Sequence, residues 1–169
     1  VYGLAGNAYS NKSVTKIFKL KKRPTFNPLI IHFKNLDDLK KDVIINEDFI
    51  KLYKTLCPGP ITFILKKKKK SKISKIATAK KNTVAIRIPK HNVIRNLLKN
   101  LNYPLAAPSA NIASKLSPTS AEDVVEEFGN KIKFVLDGGR CSIGLESTII
   151  DLTGKPKILR PGSITIEKI

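Results

Sequence analysis

Short apolar runs alternate along the chain with amphipathic segments, and the two kinds follow one another in an irregular order. Runs of about five apolar and β-branched residues are typical of strands, whereas apolar residues spaced three and four apart are typical of helices. Some predicted strands follow each other directly and others are separated by a helix. We therefore expect an α/β or α+β fold whose sheet contains strands of mixed direction.

The predicted strands are bounded by residues that end regular structure. The runs LIIHF, ITFIL and TVAIRI predict strands at 29–33, 61–65 and 83–88, and LAAPSAN begins as a buried strand at Leu105. We interpret the lysine run at 66–70 as a solvated loop. Further strands and turns are predicted in FVLDGG, STIIDL and KILRPG.

Four helices are predicted from apolar spacing and from capping residues. The first runs from Ser13 to Lys22 and is ended by Pro24. The second is capped by Asn46 and stopped by CPGP, and the third is marked by Ile94, Leu97, Leu98 and Leu101. The fourth opens with a capping box, Thr119-x-x-Glu122, and reaches Phe128.

Length and composition predict one soluble domain over residues 1–169. No apolar run reaches the roughly 18 residues of a membrane helix, and no leader precedes the first strand, so we expect a cytoplasmic protein. Cys57 and Cys141 are far apart, which favours a reducing compartment over a disulfide. Two histidines and two unclustered cysteines predict no metal site.

The chain contains no methionine. Because translation starts with methionine, we expect the natural protein to begin upstream of Val1, with a first strand that this sequence lacks.

The net charge of +19 raises the question of nucleic-acid binding. Residues 1–99 hold 24 Lys and Arg against 5 Asp and Glu, whereas residues 100–169 hold 8 of each. Lysines outnumber arginines 27 to 5, so a general lysine bias and a polyanion-binding surface both remain open. A chain that uses lysine so freely retains arginine where a planar, forked donor is needed. The five are Arg23, Arg87, Arg95, Arg140 and Arg160.

The usual catalytic signatures are absent: there is no GxxxxGK[ST], GxGxxG, HExxH or GxSxG motif. If the chain is an enzyme, we expect it to act through electrostatics and positioning more than through a covalent nucleophile.

Several short segments are candidates for such a site. In KKRPTFNPL, Lys21 and Arg23 are either cations at a helix C-terminus or a phosphate clamp on a corner between two prolines. In TVAIRIP, alternation places Thr83, Ala85 and Arg87 on one face of the strand, towards either a hollow or solvent.

Three further positions each have a structural and a functional interpretation. Ser147 and Thr148 in GLESTIID are turn hydroxyls or ligand contacts, and Arg160 before Pro161 belongs to a surface turn or to a binding site. His32 by itself is more typical of a sheet histidine than of a ligand.

Taken in order, these segments resemble the YrdC/TsaC family of threonylcarbamoyl-AMP synthases, in its short, single-domain form. The resemblance runs from end to end through VYGLA, KxRPxxNPLIIH, CPGPIT, TVAIRIP, PLAAPSAN, SPT, LDGG, GLESTIID and ILRPG. It implies an α/β sandwich around a twisted, mixed, mainly antiparallel sheet with a basic concave cavity. It also implies a nucleotidyltransferase that converts L-threonine, bicarbonate and ATP into threonylcarbamoyl-AMP and pyrophosphate, for N6-threonylcarbamoyladenosine at position 37 of tRNA.

The resemblance further implies the site residues. The family's KxR and SxN signatures fall on Lys21, Arg23, Ser109 and Asn111, which are the implied catalytic residues. The implied ATP-binding residues are Arg23, Asn27, Thr83, Asn111, Thr119 and Arg160, and the implied L-threonine-binding residues are His32, Arg87, Ser109 and Ser147. ATP enters as a substrate with Mg²⁺, and no organic cofactor is implied; tRNA and the threonylcarbamoyl-transferase machinery are the candidate partners.

The sequence departs from the family pattern in two places. It begins after the P-T-[ED]-T segment, and Ala113-Ser114 replaces a Ser-Gly pair, which affects the expected loop shape. Two alternatives remain open: a double-stranded RNA- or tRNA-binding module without catalysis, and a carbamoyl-transfer domain like those of hydrogenase-maturation proteins.

Overall fold

A computed structural model describes residues 1–169 and shows one seven-stranded mixed sheet. The strands are β1 (Gly6–Asn7), β2 (Ile30–His32), β3 (Ile61–Lys66), β4 (Thr83–Arg87), β5 (Leu105–Ala106), β6 (Thr148–Asp151) and β7 (Lys157–Arg160). Their order in the sheet is β1-β5-β2-β4-β3-β6-β7. The pairs β2–β4 and β3–β6 are parallel and the others are antiparallel, so the expected mixed, mainly antiparallel sheet is confirmed.

Five α-helices connect the strands: α1 (Asn11–Lys21), α2 (Leu36–Asp42), α3 (Glu47–Leu56), α4 (Asn92–Lys99) and α5 (Ala121–Phe128). Single 3₁₀ turns cover Gly129–Lys131 and Ile166–Lys168. None of the helices combines the length and the hydrophobicity that a membrane crossing needs.

The main core lies between one face of the sheet and α1, α2 and α3. On β4, Val84 and Ile86 point into this core, whereas Thr83, Ala85 and Arg87 alternate onto the half-buried opposite face, as the sequence predicts. Phe49 of α3 packs edge-on against Phe63 of β3, with ring centroids 5.2 Å apart. One face of the sheet is therefore filled by helices, and the other face carries the polar side chains.

Two of the local predictions are wrong in their detail. FVLDGG forms no strand: no neighbouring strand pairs with it, and its backbone is instead held at Gly138, whose N–H donates to the hydroxyl of Tyr2 (3.0 Å). The cap of α5 is Ser120 rather than Thr119, and its capping box is closed by Asp123 rather than Glu122. The residue types are those of a cap, but the helix begins one residue later than expected.

The lysine run is less loop-like than predicted, because Lys66 ends β3 and Lys67 forms a β-bridge with Val43. The carboxylate of Asp42 holds the residues that follow the run. Asp42, at 1% exposure, accepts from the Tyr9 hydroxyl (2.6 Å), the Ser71 hydroxyl (2.7 Å) and the Lys72 N–H (2.9 Å). Its own carbonyl accepts from the Lys68 N–H at 2.8 Å. The run thus follows a defined path across the end of α2.

The N-caps of α2 and α3 allow a comparison between a cap that also binds a distant part of the fold and a cap that does not. Asn46 accepts from the Phe49 N–H (3.0 Å) and also donates to the carbonyl of Leu152 (2.7 Å), whereas Asn35 accepts only from Asp38 N–H (2.9 Å). We expect Asn46→Ala to lower the free energy of unfolding by about 2 kcal/mol and Asn35→Ala by about 1 kcal/mol. Urea denaturation measures both, and equal losses would show that the bond to Leu152 contributes nothing.

Candidate active site

A row of side chains crosses five strands on the half-buried face of the sheet. His32 of β2 lies opposite Arg87 of β4, and the antiparallel register of β3 and β4 places Thr62 on the other side of Arg87. Thr62 pairs with Ile149 of β6, which in turn pairs with Arg160 of β7. Residues that share a row and a face are lateral neighbours, so the sheet aligns His32, Arg87 and Thr62. A register shift between Ile149 and Ile150 interrupts the alternation before β7, and the bonds of Arg160 to Ser147 bring it to the same row.

Arg87 and His32 form one end of this row. The Nε of Arg87 donates to the carbonyl of Gly59 at 3.1 Å, which leaves both terminal nitrogens of its guanidinium available to a ligand. The Nδ1 of His32 is buried and has no hydrogen-bond partner. Burial, followed by the neighbouring charge of Arg87, lowers the pKa of His32 to about 3, so its imidazole is neutral at physiological pH.

Arg160 and Ser147 form the other end. The Nε and Nη2 of Arg160 donate to the carbonyl of Ser147 at 3.1 and 2.9 Å, and its Nη1 pairs with Glu146. The hydroxyl of Ser147 lies 2.7 Å from that of Thr62, which is fully buried. Ser117 donates to the second oxygen of Glu146 at 3.2 Å. The GLEST segment is thus tied to β3, to β7 and to the loop before α5.

The predicted SxN corner is held by the N-terminal segment. The N–H of Leu4 donates to the carbonyl of Pro108 (2.8 Å), and the N–H of Ala110 donates to that of Tyr2 (2.8 Å). Asn111 is buried and donates its side-chain amide to the carbonyl of Lys115 at 2.6 Å. The chain after β5 is therefore a fixed corner rather than a mobile loop.

Lys21, the last residue of α1, is bound to this corner. Its side chain is 2% exposed, and its ammonium donates to the carbonyls of Ser109 (2.6 Å) and Asn111 (2.5 Å) and to the side-chain oxygen of Asn111 (3.3 Å). Burial, followed by the charge of Arg23, lowers the pKa of Lys21 to about 8 against the opposing effect of Glu146 and Glu127. Its three N–H groups have acceptors within the protein, so it contributes a positive charge and fixes the corner after β5.

Arg23 braces the corner between the two prolines. Its Nε donates to the carbonyl of Asn27 and its Nη2 to that of Pro28, both at 3.0 Å. The Nη1 of its guanidinium has no protein acceptor. The side chain of Arg23, which was predicted to clamp phosphate, therefore also stabilises the segment from Arg23 to Pro28 by binding its backbone.

The charged groups of these segments act on one another. Burial lowers the pKa of Arg23, Glu146 raises it, and Arg160 lowers it further. Burial and then Arg160 lower the pKa of Arg87. The sheet register places Arg87 and Arg160 at the two ends of one row, and these mutual effects agree with Arg23 and Lys21 lying near it. This region holds an excess of cations over the carboxylate of Glu146, which suits an anionic ligand.

Three predicted residues lie at the margin of this region. Thr83 shares the face of Arg87 but lies four residues away along β4, roughly 13 Å at the rise of a strand. Asn27 is exposed on the braced corner. The N–H and hydroxyl of Thr119 donate to Asp123 at 2.8 and 3.2 Å, so its side chain supports the start of α5.

Two residues of the site were not predicted from the sequence. Thr62 is the fully buried partner of Ser147, and Glu146 is the carboxylate between the cations. The alternation of ITFIL places Thr62 on the polar face and would have revealed it. Glu146 had no such signal, because its partners Ser117 and Arg160 are distant in sequence.

Two cavities of the protein lie away from this region. One of about 200 Å³ lies between Tyr9, Phe33, Leu98 and Tyr103, and another of about 410 Å³ lies between α3 and β7. The expected basic concave cavity at the cationic region remains a prediction. No group of three or more His, Cys, Asp or Glu side chains is placed to bind a metal ion.

The family model Sua5/YciO/YrdC, which carries the description "Telomere recombination", matches residues 1–162. The chain belongs to the Sua5/YciO/YrdC family. This confirms the resemblance that the ordered motifs indicated.

Curated relatives in this family have one activity in their names. A threonylcarbamoyl-AMP synthase of Pyrococcus abyssi is 45% identical over 173 residues, covering 100% of this chain and 50% of the relative. A threonylcarbamoyl-AMP synthase of Bacillus subtilis is 41% identical over 171 residues, covering 100% of this chain and 49% of the relative. The chain therefore spans about half the length of these relatives.

A solved structure agrees with the fold. P. abyssi Sua5 in complex with L-threonine superposes with a TM-score of 0.95 at 44% identity, over 99% of this chain and 49% of that chain. The Sua5/YciO/YrdC fold of this chain is thus matched over nearly all of its residues.

The depressed pKa of Lys21 predicts how stability depends on pH. The unfolded lysine has a pKa of about 10.4, whereas the folded one is about 8. The unfolded state therefore binds more protons between these pH values, so stability rises with pH across this window and the cost of burying the charge is fully present below it. We expect the difference in unfolding free energy between wild type and Lys21→Met to shift in favour of wild type from pH 8 to 10. A difference independent of pH would contradict the assignment.

The close contacts around Gly162 predict that a side chain at this position would destabilise the protein. A Cβ on Gly162 would lie 2.4 Å from the backbone nitrogen of Thr148 and 2.6 Å from the carbonyl oxygen of Glu146, and neither atom can yield easily. We expect Gly162→Ala to lower the free energy of unfolding by about 3 kcal/mol. A methyl group on Gly154 would have no atom within 4 Å, so Gly154→Ala is the matched control and should change stability by less than about 0.5 kcal/mol. Thermal or urea unfolding of the pair compares them directly.

Proposed function

We propose that this chain carries the activity of an L-threonylcarbamoyl-adenylate synthase, a nucleotidyltransferase. It combines L-threonine, bicarbonate and ATP into threonylcarbamoyl-AMP and pyrophosphate. The observation that carries the proposal is the row from His32 to Arg160, next to Lys21 and Arg23, in a chain that matches L-threonine-bound Sua5 over 99% of its length. This region offers forked donors for a carboxylate and cations for phosphates within one sheet face.

The threonine carboxylate is assigned to Arg87. Its two free terminal nitrogens can bind a carboxylate as a bidentate pair, since Gly59 already fixes its Nε. The buried Nδ1 of neutral His32 and the hydroxyl of Ser147 are polar groups along the same row, and Ser109 completes the proposed threonine contacts at the fixed corner. The Thr62 hydroxyl orients Ser147.

The nucleotide is assigned to the other cations. Arg23 presents its unoccupied Nη1, and Asn111 and Arg160 are assigned to the nucleotide beside it. Asn27, Thr83 and Thr119 lie at the margin and would contact distal parts of ATP. Lys21 adds positive charge and positions the corner of Ser109 and Asn111. ATP enters as its Mg²⁺ complex, so the ion arrives with the substrate.

The proposed reaction needs no side-chain nucleophile. Bicarbonate loses water to supply carbon dioxide, and the threonine amine attacks this carbon dioxide and loses a proton, which gives a carbamate. A carbamate oxygen then attacks the α-phosphorus of ATP, the bond from that phosphorus to the bridging oxygen breaks, and pyrophosphate leaves with Mg²⁺. Charge builds on the phosphoryl oxygens, where Arg23 and Lys21 stabilise it. Burial raises the pKa of Cys57 to about 12, so this thiol near Arg87 stays protonated and does not compete as a nucleophile.

The product is a reactive mixed anhydride, so we place the chain upstream of a carbamoyl transfer to an amine. By family likeness, that acceptor is adenosine 37 of tRNA, and the tRNA and the transferase machinery are its proposed partners.

The decisive assay is pyrophosphate release from ATP and bicarbonate by the natural full-length protein, with threonine, with serine and with neither. We expect release to require threonine. Arg23→Ala should lower kcat/KM by about 100-fold, or about 2.7 kcal/mol, and Arg87→Lys should raise the KM for threonine at least about tenfold, because lysine lacks the fork. Arg140→Ala, on an exposed position, is the control and should retain wild-type rates.

Other outcomes would favour another function. Near-normal turnover of Arg23→Ala would refute its role at the phosphates. Threonine-independent behaviour together with tight, steeply salt-dependent RNA binding would replace the synthase by the RNA-binding alternative.

A further inference from the structure

Glu146 pairs with Arg160, one of the cations to which the nucleotide is assigned. Its two oxygens have different partners: one pairs with the Nη1 of Arg160, and the other accepts from the Ser117 hydroxyl at 3.2 Å. It lies directly before Ser147, whose carbonyl binds the rest of the same guanidinium. A carboxylate is thus built into the middle of a cationic region.

The hydrogen bonds of Arg160 leave little room for another ligand. An arginine has five N–H donors. The Nε and Nη2 of Arg160 point at Ser147, contacting its carbonyl oxygen and, at 3.2 Å, its hydroxyl. The remaining nitrogen, Nη1, faces Glu146. A phosphate oxygen can therefore reach this guanidinium only at Nη1, which has one further N–H and where the negative charge of Glu146 repels it.

Charge explains why a carboxylate lies there. Lys21, Arg23, Arg87 and Arg160 are all cationic, and mutual repulsion destabilises them when no anion is bound. Glu146 raises the pKa of Arg23 and of Lys21, so it favours their charged forms. It is the carboxylate that contacts a guanidinium of the site directly.

We propose that Glu146 is a resident counter-ion of the nucleotide site, which a phosphate displaces from Arg160 and which returns when pyrophosphate leaves. This inference rests on the proposed function and deepens it. Because the carboxylate occupies one N–H of Nη1 and repels a phosphate at the other, the site binds pyrophosphate less tightly than its cations alone would allow. Glu146 therefore favours product release, and Ser117 retains the carboxylate nearby while it is displaced.

The test is the affinity for inorganic pyrophosphate, measured by isothermal titration calorimetry on the full-length protein. Glu146→Gln keeps the shape of the side chain and removes its charge, and we expect it to bind pyrophosphate at least about fivefold more tightly than wild type. Glu126→Gln makes the same change in net charge on an exposed position of α5, and its affinity should stay within about twofold of wild type. In steady-state kinetics, pyrophosphate should inhibit Glu146→Gln at lower concentrations than it inhibits wild type.

Unchanged or weaker binding by Glu146→Gln would overturn the proposal, since it would mean that the carboxylate only orients Arg160. Equal tightening by Glu126→Gln would also overturn it, because net charge alone would then explain the effect. If Glu146→Gln does not fold, Glu146→Asp decides: its shorter carboxylate cannot span Arg160 and Ser117 together, so pyrophosphate should again bind more tightly than to wild type, and failure to do so rejects the idea.

This measurement separates the inference from the proposed function. Wild-type protein that binds pyrophosphate but shows no threonine-dependent turnover would refute the synthase activity, while the variants would still decide the role of Glu146. If neither wild type nor Glu146→Gln binds pyrophosphate, the inference about Glu146 is refuted, whereas the synthase activity is still decided by threonine-dependent turnover.

Discussion

The ammonium of Lys21 is the contact on which the geometry of the site depends. It is a buried charge without a carboxylate partner, satisfied only by the oxygens of Ser109 and Asn111. Burying a charge in this way is costly unless its hydrogen bonds are complete. Those bonds join the end of α1 to the corner after β5. They therefore also fix the position of the segment that starts at Arg23, two residues after Lys21. The KxR and SxN segments are distant in sequence and become one unit through this contact.

Four of the five arginines have a further feature in common, because each donates to a backbone carbonyl. Arg23 binds Asn27 and Pro28, Arg87 binds Gly59, Arg95 binds Lys34, and Arg160 binds Ser147. A guanidinium fixed in this way loses little freedom when a ligand arrives. Arg95 shows the limit of the argument from composition, because its bond of 2.7 Å to Lys34 connects α4 to the end of β2 and has no evident tie to the site.

The sequence predicted those elements whose signals are local. The alternation in TVAIRI gave the face of Arg87, and Asn46 with its acidic neighbours gave the start of α3. FVLDGG failed because a strand needs a partner, and composition does not say whether one is present. The cap of α5 was misplaced because Thr119 and Ser120 are both good caps, and only the position of Asp123 chooses between them.

The site was predictable in its residue types but not in its connections. Ordered motifs identified the cations and hydroxyls, and their likeness to a known family supplied their roles. Glu146 and Thr62 emerged only from distances, because each acts through a partner far along the chain. Likewise, Lys21 was expected at the phosphates, whereas its hydrogen bonds are made to the protein.

The anchoring of the lysine run by Asp42 has a consequence for how this surface can evolve. Backbone pairing determines the path of the run from Lys66 to Lys68, and the carboxylate of Asp42 holds Ser71 and Lys72 just beyond it. The side chains of Lys67 and Lys68 bind Thr78 and the carbonyl of Lys40, so substitution at either position loses a bond. Substitutions at Lys66, Lys69 or Lys70 would instead alter the electrostatic character of the surface without altering its shape, whereas replacement of Asp42 would release the backbone that follows the run.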